Sequence, residues 1–335
     1  MAPPPPPVKL IRDIRSLPET LRHGAVAIGN FDGVHRGHAR IVERLRNMAQ
    51  RICGAAVVFT FDPPPAALLR PEKAPPPLTT IERKVELLAE LGVDAVIAYP
   101  TNLDLLQLSP QEFFAKIVQS DLAAQALVEG TNFFFGHDRA GTIEVLRGLT
   151  TEAGIQLHVV EPLLVDGEPV SSSRVRRLIA AGDVSAACRL LTQPYRICGT
   201  VVEGARRGAA IGFPTANLGG VATLLPGQGV YAGRAQIIEG EPGASAPGGV
   251  TESENRAWPA AINVGPNPTF GEDESKVEAH LIGCTEPLYG TLLAVDFVAR
   301  LRDIHPFDNV EALKAQLARD IAEVKTTEWN QTEGR

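Results

Sequence analysis

The sequence predicts two folded parts of different class: an α/β part built on a parallel sheet, then an antiparallel β-barrel with a terminal helix. Three observations carry this. From residue 8 to about 191, short apolar runs alternate with amphipathic helical patterns, as in a parallel sheet with crossover helices. From about 192 onward, strand-like runs follow one another across glycine- and proline-rich turns without helices between them. Near the end, Leu313, Leu317 and Ile321 recur at helical spacing. The expected domains are residues 8–191 and 192–330, and 335 residues leave room for two cores.

The first part is organised around residues 24–38, GAVAIGNFDGVHRGH. Residues 25–28 form a small apolar run, suited to a central strand covered on both faces. Gly29, Gly33 and Gly37 permit a tight turn and close backbone approach. Then Ile41, Val42, Leu45, Met48, Ala49 and Ile52 follow a helical period. The turn thus delivers His35 and His38 to a helix start, where unpaired N–H groups and the helix dipole favour phosphate. Imidazole donors there suit nucleotidyl transfer, which spreads charge over an α-phosphate and a departing pyrophosphate. The alternative is two surface histidines, or half of a metal site.

The remaining elements follow in order. Residues 55–61 (AAVVFTF) read as a strand ended by Pro63, Pro64 and Pro65. Thr79 with Glu82 forms a capping box for a helix closed by Gly92, and residues 95–99 form a strand. Ser109 with Glu112 repeats the box, with Pro110 at the first helical position. A strand over 126–129 leads into Gly130-Thr131-Asn132-Phe133-Phe134-Phe135-Gly136, whose aromatics read as core. A helix over 143–153, stopped by Gly154, precedes a strand at 156–160. Ligands bind such sheets at the carboxyl ends of the strands, where the His35 turn lies. At 170–178, serines precede Arg174, Arg176 and Arg177 at a helix start; this is either a phosphate cradle or a capped surface helix with solvated arginines.

In the second part, residues 195–202, 229–238, 257–264, 276–282 and 291–301 are strand-like. Residues 240–256 hold few apolar side chains and read as a flexible hairpin insertion; Asp308 with Glu311 is expected to cap the last helix. Between the first two strands lies Arg206-Arg207-Gly208 and then Gly212-Phe213-Pro214-Thr215-Ala216-Asn217-Leu218. Such a loop offers arginines and backbone N–H groups to phosphates, and Thr215 and Asn217 offer neutral oxygens to Mg2+. The lack of Gly-Lys-Ser/Thr excludes a P-loop, and a glycine-rich hairpin turn is the competing reading.

Composition narrows the class. A net charge of −7 argues against a nucleic-acid-binding or polybasic membrane surface, so any phosphate site is local. No apolar run reaches membrane-span length. Four dispersed cysteines without a Cys-x-x-Cys pair read as reduced thiols of a cytoplasmic protein, and Pro3 to Pro7 as an extended tail rather than a signal peptide. Oligomeric state leaves no signal in the sequence.

The segment Gly29-Asn30-Phe31-Asp32-Gly33-Val34-His35-Arg36-Gly37-His38 resembles the signature of the FMN adenylyltransferase module of prokaryotic bifunctional riboflavin kinase/FAD synthetases. The resemblance implies a Rossmann-like nucleotidyltransferase domain, with catalytic His35, His38 and Arg176 and with nucleotide contacts from Gly29, Asn30, Phe31, Asp32 and Gly37. Ser172, Ser173 and Arg176 fall on the family's Ser-Ser-Thr-x-Ile-Arg motif, and Asn132 on its nucleotide and flavin loop. The run from Gly212 to Leu218 resembles the riboflavin kinase signature, which Ala261 to Gly265 and Pro268 to Gly271 continue. By that resemblance Glu278, otherwise an ordinary strand glutamate, is the kinase's catalytic glutamate. Arg206, Gly208, Gly212, Pro214, Thr215 and Asn217 hold ATP, the last two through Mg2+. Two positions depart from the family. Pro64 stands where a histidine is usual, and Ala209 where a basic residue is common. The implied function is phosphorylation of riboflavin to FMN by the second domain and adenylylation of FMN to FAD by the first, each with ATP. The alternative is a riboflavin kinase whose first domain has degenerated at Pro64.

Overall fold

The computed structural model describes residues 8–204, 207–238, 257–267 and 272–327. The proline run, the insertion at 240–256, Arg206 and the segment 268–271 lie outside the described residues. Packing divides the chain into two units: one up to Pro75 together with Ile81–Ser171, the other Pro76–Thr80 together with the chain from Ser172.

The first unit is a six-stranded sheet with every neighbouring pair parallel, in the order β1-β4-β3-β2-β5-β6. Its strands are β1 (Lys9–Ile11), β2 (Ala25–Ile28), β3 (Ala56–Asp62), β4 (Ala95–Pro100), β5 (Ala126–Gly130) and β6 (Gln156–Val160). Helices α1 (Arg36–Arg51) and α3 (Ile81–Glu90) contribute Val42, Leu45, Leu87 and Leu88 to the core on one face, against Ala27 and Val58. The other face is covered by α5 (Pro110–Phe113), its π-helical continuation Phe114–Asp121, and α6 (Ile143–Ala153). Both short helices α2 (Pro65–Leu69) and α4 (Leu103–Gln107) follow strand ends, and β7 (Leu164–Val165) with β8 (Glu168–Pro169) forms a small hairpin. The Ser109 box forms as expected, with reciprocal bonds to Glu112, and Gly154 ends α6 in the left-handed conformation.

Strand order reverses between β2 and β5, and the sheet forks there. Backbone pairing of β2 with β5 covers Ala25 with Ala126 and Val26 with Leu127. Beyond it, the Ile28 N–H donates 2.8 Å to the carboxyl of Glu129 rather than to a main-chain carbonyl. Glu129 is 3% exposed, and burial pushes its carboxyl well above the usual range. The fork opens the carboxyl edge of the sheet directly beside the turn that leaves β2.

The second unit holds α7 (Ser172–Ala180), α8 (Val184–Leu190) and a closed barrel of β9 (Tyr195–Val202), β10 (Ala216–Gly219), β11 (Gly229–Ile238), β12 (Ala257–Asn267), β13 (Glu272–Leu281) and β14 (Leu292–Arg302). Around the barrel the order is β10-β13-β12-β11-β14-β9, all antiparallel. Tyr231 and Phe297 fill its interior edge to face, with ring centroids 5.3 Å apart. The closing helix α10 (Val310–Thr326) buries Leu313 and Val324, and its buried Asp320 takes a forked bond from Arg302 at 2.8–3.1 Å.

Three local expectations need correction. The Pro-Thr-Ala-Asn run enters a strand, β10, which closes the barrel by pairing with both β9 and β13; a tiny helix, α9 (Arg207–Ala210), precedes it. Asn309, not Asp308, caps the last helix, accepting the Ala312 N–H at 2.8 Å. Only Phe135 of the aromatic trio is buried, while Phe134 is 44% exposed under the Arg139 guanidinium. The sequence pattern changes near 191, whereas packing divides the chain at 171/172, because α8 lies on the barrel and its Cys188 donates 3.5 Å to the Phe297 carbonyl.

Glu129 makes a stability test. Glu129→Gln keeps an acceptor for the Ile28 N–H and should fold at least as stably as the parent. Glu129→Leu leaves that N–H unpaired and should cost about 1–3 kcal/mol in urea melts. The folded chain holds the Glu129 proton above the pH at which the unfolded chain releases it. Parent stability therefore falls with rising pH above the usual carboxylate range, and the advantage of Glu129→Gln should widen from pH 5 to pH 8.

Candidate active sites

The turn leaving β2 is built from residues in unusual backbone conformations. Phe31, Gly33 and Val34 have φ of 45°, 80° and 38°. A β-branched residue rarely takes such an angle, and Val34 does so while fully buried. The result is a chain that reverses sharply and presents His35 as the N-cap of α1. There His35 Nδ1 accepts the backbone N–H of His38 at 3.3 Å, which puts the proton of the neutral ring on Nε2. His35 and His38 stack with centroids 3.6 Å apart and 14° between planes, and Phe31 leans on His38 at 5.0 Å. Gly37 leaves room for the His35 ring: a β-carbon there would press on it at 3.1 Å.

Desolvation dominates the electrostatics. It lowers His35 to about 4, against a smaller opposing pull from Asp32, and it lowers His38 well below the ordinary imidazole range, with smaller contributions from His35 and Lys84. Both imidazoles are therefore uncharged donors and acceptors at neutral pH. His38 Nδ1 is buried and has no hydrogen-bond partner among the described residues. Asp32 is itself 6% exposed. Asn30 lends its carbonyl to the Thr60 hydroxyl at 3.1 Å, tying the turn to β3. Asn132 lies on the exposed turn after β5, again at the carboxyl edge, where a β-carbon on Gly130 would lie 3.1 Å from its Oδ1. Pro64 caps α2 without a side-chain bond.

One buried residue of this site was missed in the sequence: Lys84, 4% exposed in the first turn of α3. The signal was there, since positions 84, 87, 88 and 91 make one helical stripe and only the first is charged.

The second unit carries the other motifs. Ser172 and Ser173 open α7, and Arg176 Nε donates to the Pro76 carbonyl at 3.1 Å. In the barrel, register assembles the site. Glu278 on β13 is directly opposite Asn217 on β10 and Asn263 on β12, so three residues far apart in sequence form one transverse row. Their neighbours Val277, Ala279, Ile262, Val264, Ala216 and Leu218 are buried, so the row belongs to the opposite, outer face. Asn263 was not singled out from sequence. His280, two residues along from Glu278, donates from Nδ1 to the Pro214 carbonyl at 2.8 Å and so pins the Pro214–Asn217 segment to β13. Thr215 and Gly212 are exposed, and a β-carbon on Gly208 would collide with the Phe213 carbonyl. Gly204 gives Asn217 room, because a β-carbon there would overlap its amide. A cavity of about 300 Å³ runs beside it, lined by Glu203, Asn217, Val221, Leu225 and Lys276. The neutral oxygens of Thr215 and Asn217 suit Mg2+, which takes few protein ligands and completes its shell with phosphate oxygens and water.

The buried His35 imidazole predicts acid sensitivity. The unfolded chain binds a proton at His35 near pH 6.5, whereas the folded chain does so only near 4. Stability of the first unit should therefore fall as the pH drops through that window, by about 3 kcal/mol for His35 alone. Thermal melts from pH 7 to pH 4 check this, and His35→Asn should flatten the dependence.

Comparison with known proteins finds a family for each half of the chain. Residues 17–174 match the FAD synthetase family and residues 191–327 the riboflavin kinase family. A bifunctional riboflavin kinase/FMN adenylyltransferase of Pseudomonas fluorescens is 34% identical over 94% of this chain and 96% of its own length. Its namesake in Escherichia coli K12 is 33% identical over 93% and 96%. A solved structure named as a macrolide-efflux protein of Streptococcus pneumoniae superposes with a TM-score of 0.81 at 28% identity, covering 96% of this chain and all of the other. With a family match in each half and near full-length relatives above 30% identity, the chain belongs to the bifunctional riboflavin kinase/FMN adenylyltransferase family.

Proposed function

We propose that this chain makes FAD from riboflavin in two ATP-dependent steps, residues 192–330 forming FMN and residues 8–191 converting FMN to FAD. The observation that carries the reading is the presence in one chain of two phosphate-suited sites of different construction, the desolvated His35/His38 turn and the Asn217–Glu278–Asn263 row. Its substrates are ATP, riboflavin and FMN, and its setting is the cytoplasm.

In the barrel, Glu278 orients the ribityl 5′-hydroxyl of riboflavin and accepts its proton as the oxygen bonds to the γ-phosphorus of ATP, while the bond from that phosphorus to the oxygen bridging to the β-phosphate breaks and ADP leaves with the electron pair. Thr215 and Asn217 would hold Mg2+, which would supply charge neutralisation on the ATP phosphates when bound. Arg206, Gly208, Gly212 and Pro214 shape the loop around those phosphates, and the His280 bond to Pro214 keeps that loop in register with Glu278.

At the turn after β2, a phosphate oxygen of FMN attacks the α-phosphorus of a second ATP and pyrophosphate leaves. His35 and His38 meet the developing charge as neutral N–H donors held rigidly by their stacking. Ser172, Ser173 and Arg176 bind phosphate, Asn132 gives a polar contact to nucleotide or flavin, and Gly29, Asn30, Phe31, Asp32 and Gly37 form the nucleotide cradle. Pro64 can neither donate nor accept a proton, so this chain's histidine pair does its work without the additional imidazole usual in the family.

The two steps should separate by single substitutions. His38→Ala removes a charge-stabilising donor, and FMN→FAD should slow by about 10²–10³ while riboflavin→FMN stays nearly unchanged. Glu278→Gln should slow riboflavin→FMN by about 10², the low end for a general base because phosphoryl transfer is largely dissociative, and should leave added FMN convertible to FAD. Rates of each folded variant with riboflavin and, separately, with FMN decide the matter. Equal loss of both activities in both variants would mean one shared site and refute the assignment.

A further inference from the structure

Lys84 is a buried charge for which the roles above give no use. It lies in the first turn of α3, on the stripe that Leu87 and Leu88 pack into the core. An ammonium is expensive at such a place, and a methionine would fill the same volume without that cost. Its location is specific. Alternation along β3 puts Val58, Thr60 and Asp62 on the face covered by α1 and α3. Because α3 runs back from the carboxyl edge of the sheet, its first turn stands at the edge where α1 begins.

The contacts run into the histidine turn. Lys84 Nζ donates to Thr60 Oγ1 at a long 3.4 Å, and that hydroxyl donates to the Asn30 carbonyl at 3.1 Å. An ammonium has three donors, and this contact uses one of them weakly. The charged and titratable groups around it are Asp32 in the turn, Asp62 at the end of β3, and the stacked pair His35 and His38 at the start of α1. Arg12 engages Asp62 and Glu82 from the exposed side, each at 3.0 Å. Burial lowers the lysine's proton affinity and the two aspartates oppose that, while its field acts on His38. A cation with spare donors, set beside two uncharged imidazoles, is a site prepared for a polyanion.

We propose that Lys84 is a further phosphate ligand of the adenylylation site, donating to the triphosphate of ATP and then holding the departing pyrophosphate. This rests on the assignment of FMN adenylylation to the His35/His38 turn. In the step, a bond forms from an FMN phosphate oxygen to the α-phosphorus, and the bond from that phosphorus to the oxygen bridging to the β-phosphate breaks. The electron pair leaves with pyrophosphate. Lys84 keeps its proton throughout and answers the added charge by hydrogen bonding.

The test uses the full chain, with pyrophosphate binding followed by calorimetry and FMN→FAD kinetics for the parent, Lys84→Met and Lys84→Arg. Riboflavin→FMN in the same chain is the control. Lys84→Met should bind pyrophosphate at least about tenfold more weakly and lose about 10² in kcat/KM for ATP in FAD formation, while melting no lower than the parent. Lys84→Arg, which keeps the charge, should fall between the two. In the parent chain labelled at lysine Cε, the resonance that titrates below the ordinary lysine range should move to higher pKa when pyrophosphate is added. Pyrophosphate affinity and FAD kinetics of Lys84→Met within twofold of the parent would overturn the proposal. So would a low-titrating lysine that saturating pyrophosphate leaves unmoved, and this measurement decides alone if Lys84→Met does not fold. A parent chain that binds pyrophosphate through Lys84 yet forms no FAD would refute the adenylylation assignment instead and leave the phosphate ligand standing.

Discussion

Phe31 and Val34 take positive φ angles that their side chains disfavour, and both are nearly inaccessible to solvent. Each such angle costs on the order of 1–3 kcal/mol, a cost matched by the roughly 1.5–3 kcal/mol gained when a large apolar side chain leaves water. The core under α1 therefore holds the turn in its conformation, and the turn in turn fixes the chemistry. Relaxing Val34 to an ordinary strand angle would swing His35 off the N-cap of α1, break its bond to the His38 N–H and unstack the rings. The lowered proton affinity of both histidines comes first from the desolvation they meet in this turn.

The fork beside the turn depends on a second exchange of this kind. A parallel sheet would continue its ladder from Val26 and Leu127 upward, closing the carboxyl edge with main-chain bonds. Here one side chain, Glu129, takes over the bond owed to Ile28, and the strands part without leaving that N–H orphaned. The position of the fork is set by topology, since β2 is the strand from which the chain winds first toward β3 and β4 and later toward β5 and β6. A ligand crevice at that point needs separated strands, and a buried carboxyl that accepts the Ile28 N–H is a compact way to separate them while keeping the count of hydrogen bonds.

Much of this was legible in the sequence because periodicity reports burial. The strands at 156–160, 195–202 and 229–238 fall where the apolar patterns end, and the Ser109 and Gly154 signals mark the helix boundaries that form. What was not legible depends on partners far away in the chain. β10 is four residues long and has no pattern of its own; it exists because β9 and β13 each offer it a free edge. Likewise α8 looks like the last helix of the α/β part, yet its Cys188 and its buried face belong with β14. Asn263 looked like motif continuation until the register set it opposite Glu278. Lys84 and Glu129 were missed for the opposite reason. They stand on apolar stripes, and a charged residue on such a stripe reads as noise in a pattern unless its burial is known.

The two sites answer one electrostatic problem, the charge that builds on transferred phosphates, with opposite surroundings. At the β2 turn, the groups are sunk in the core, where a hydrogen bond or a fixed dipole acts at low effective dielectric and counterions screen it little. The penalty is that nothing charged can sit there unpaired, which is why the imidazoles are neutral and why Lys84 is accompanied by Asp32 and Asp62. On the barrel the row of Asn217, Glu278 and Asn263 is only half-buried, and Thr215 is exposed. Charges there remain hydrated, so their arrangement must come from rigid geometry, supplied by two strand ladders and the His280 bond to Pro214. Burial does the positioning in the first case and register does it in the second. A sheet edge with a buried turn can afford few residues of any kind, whereas a barrel surface can recruit from three strands at once.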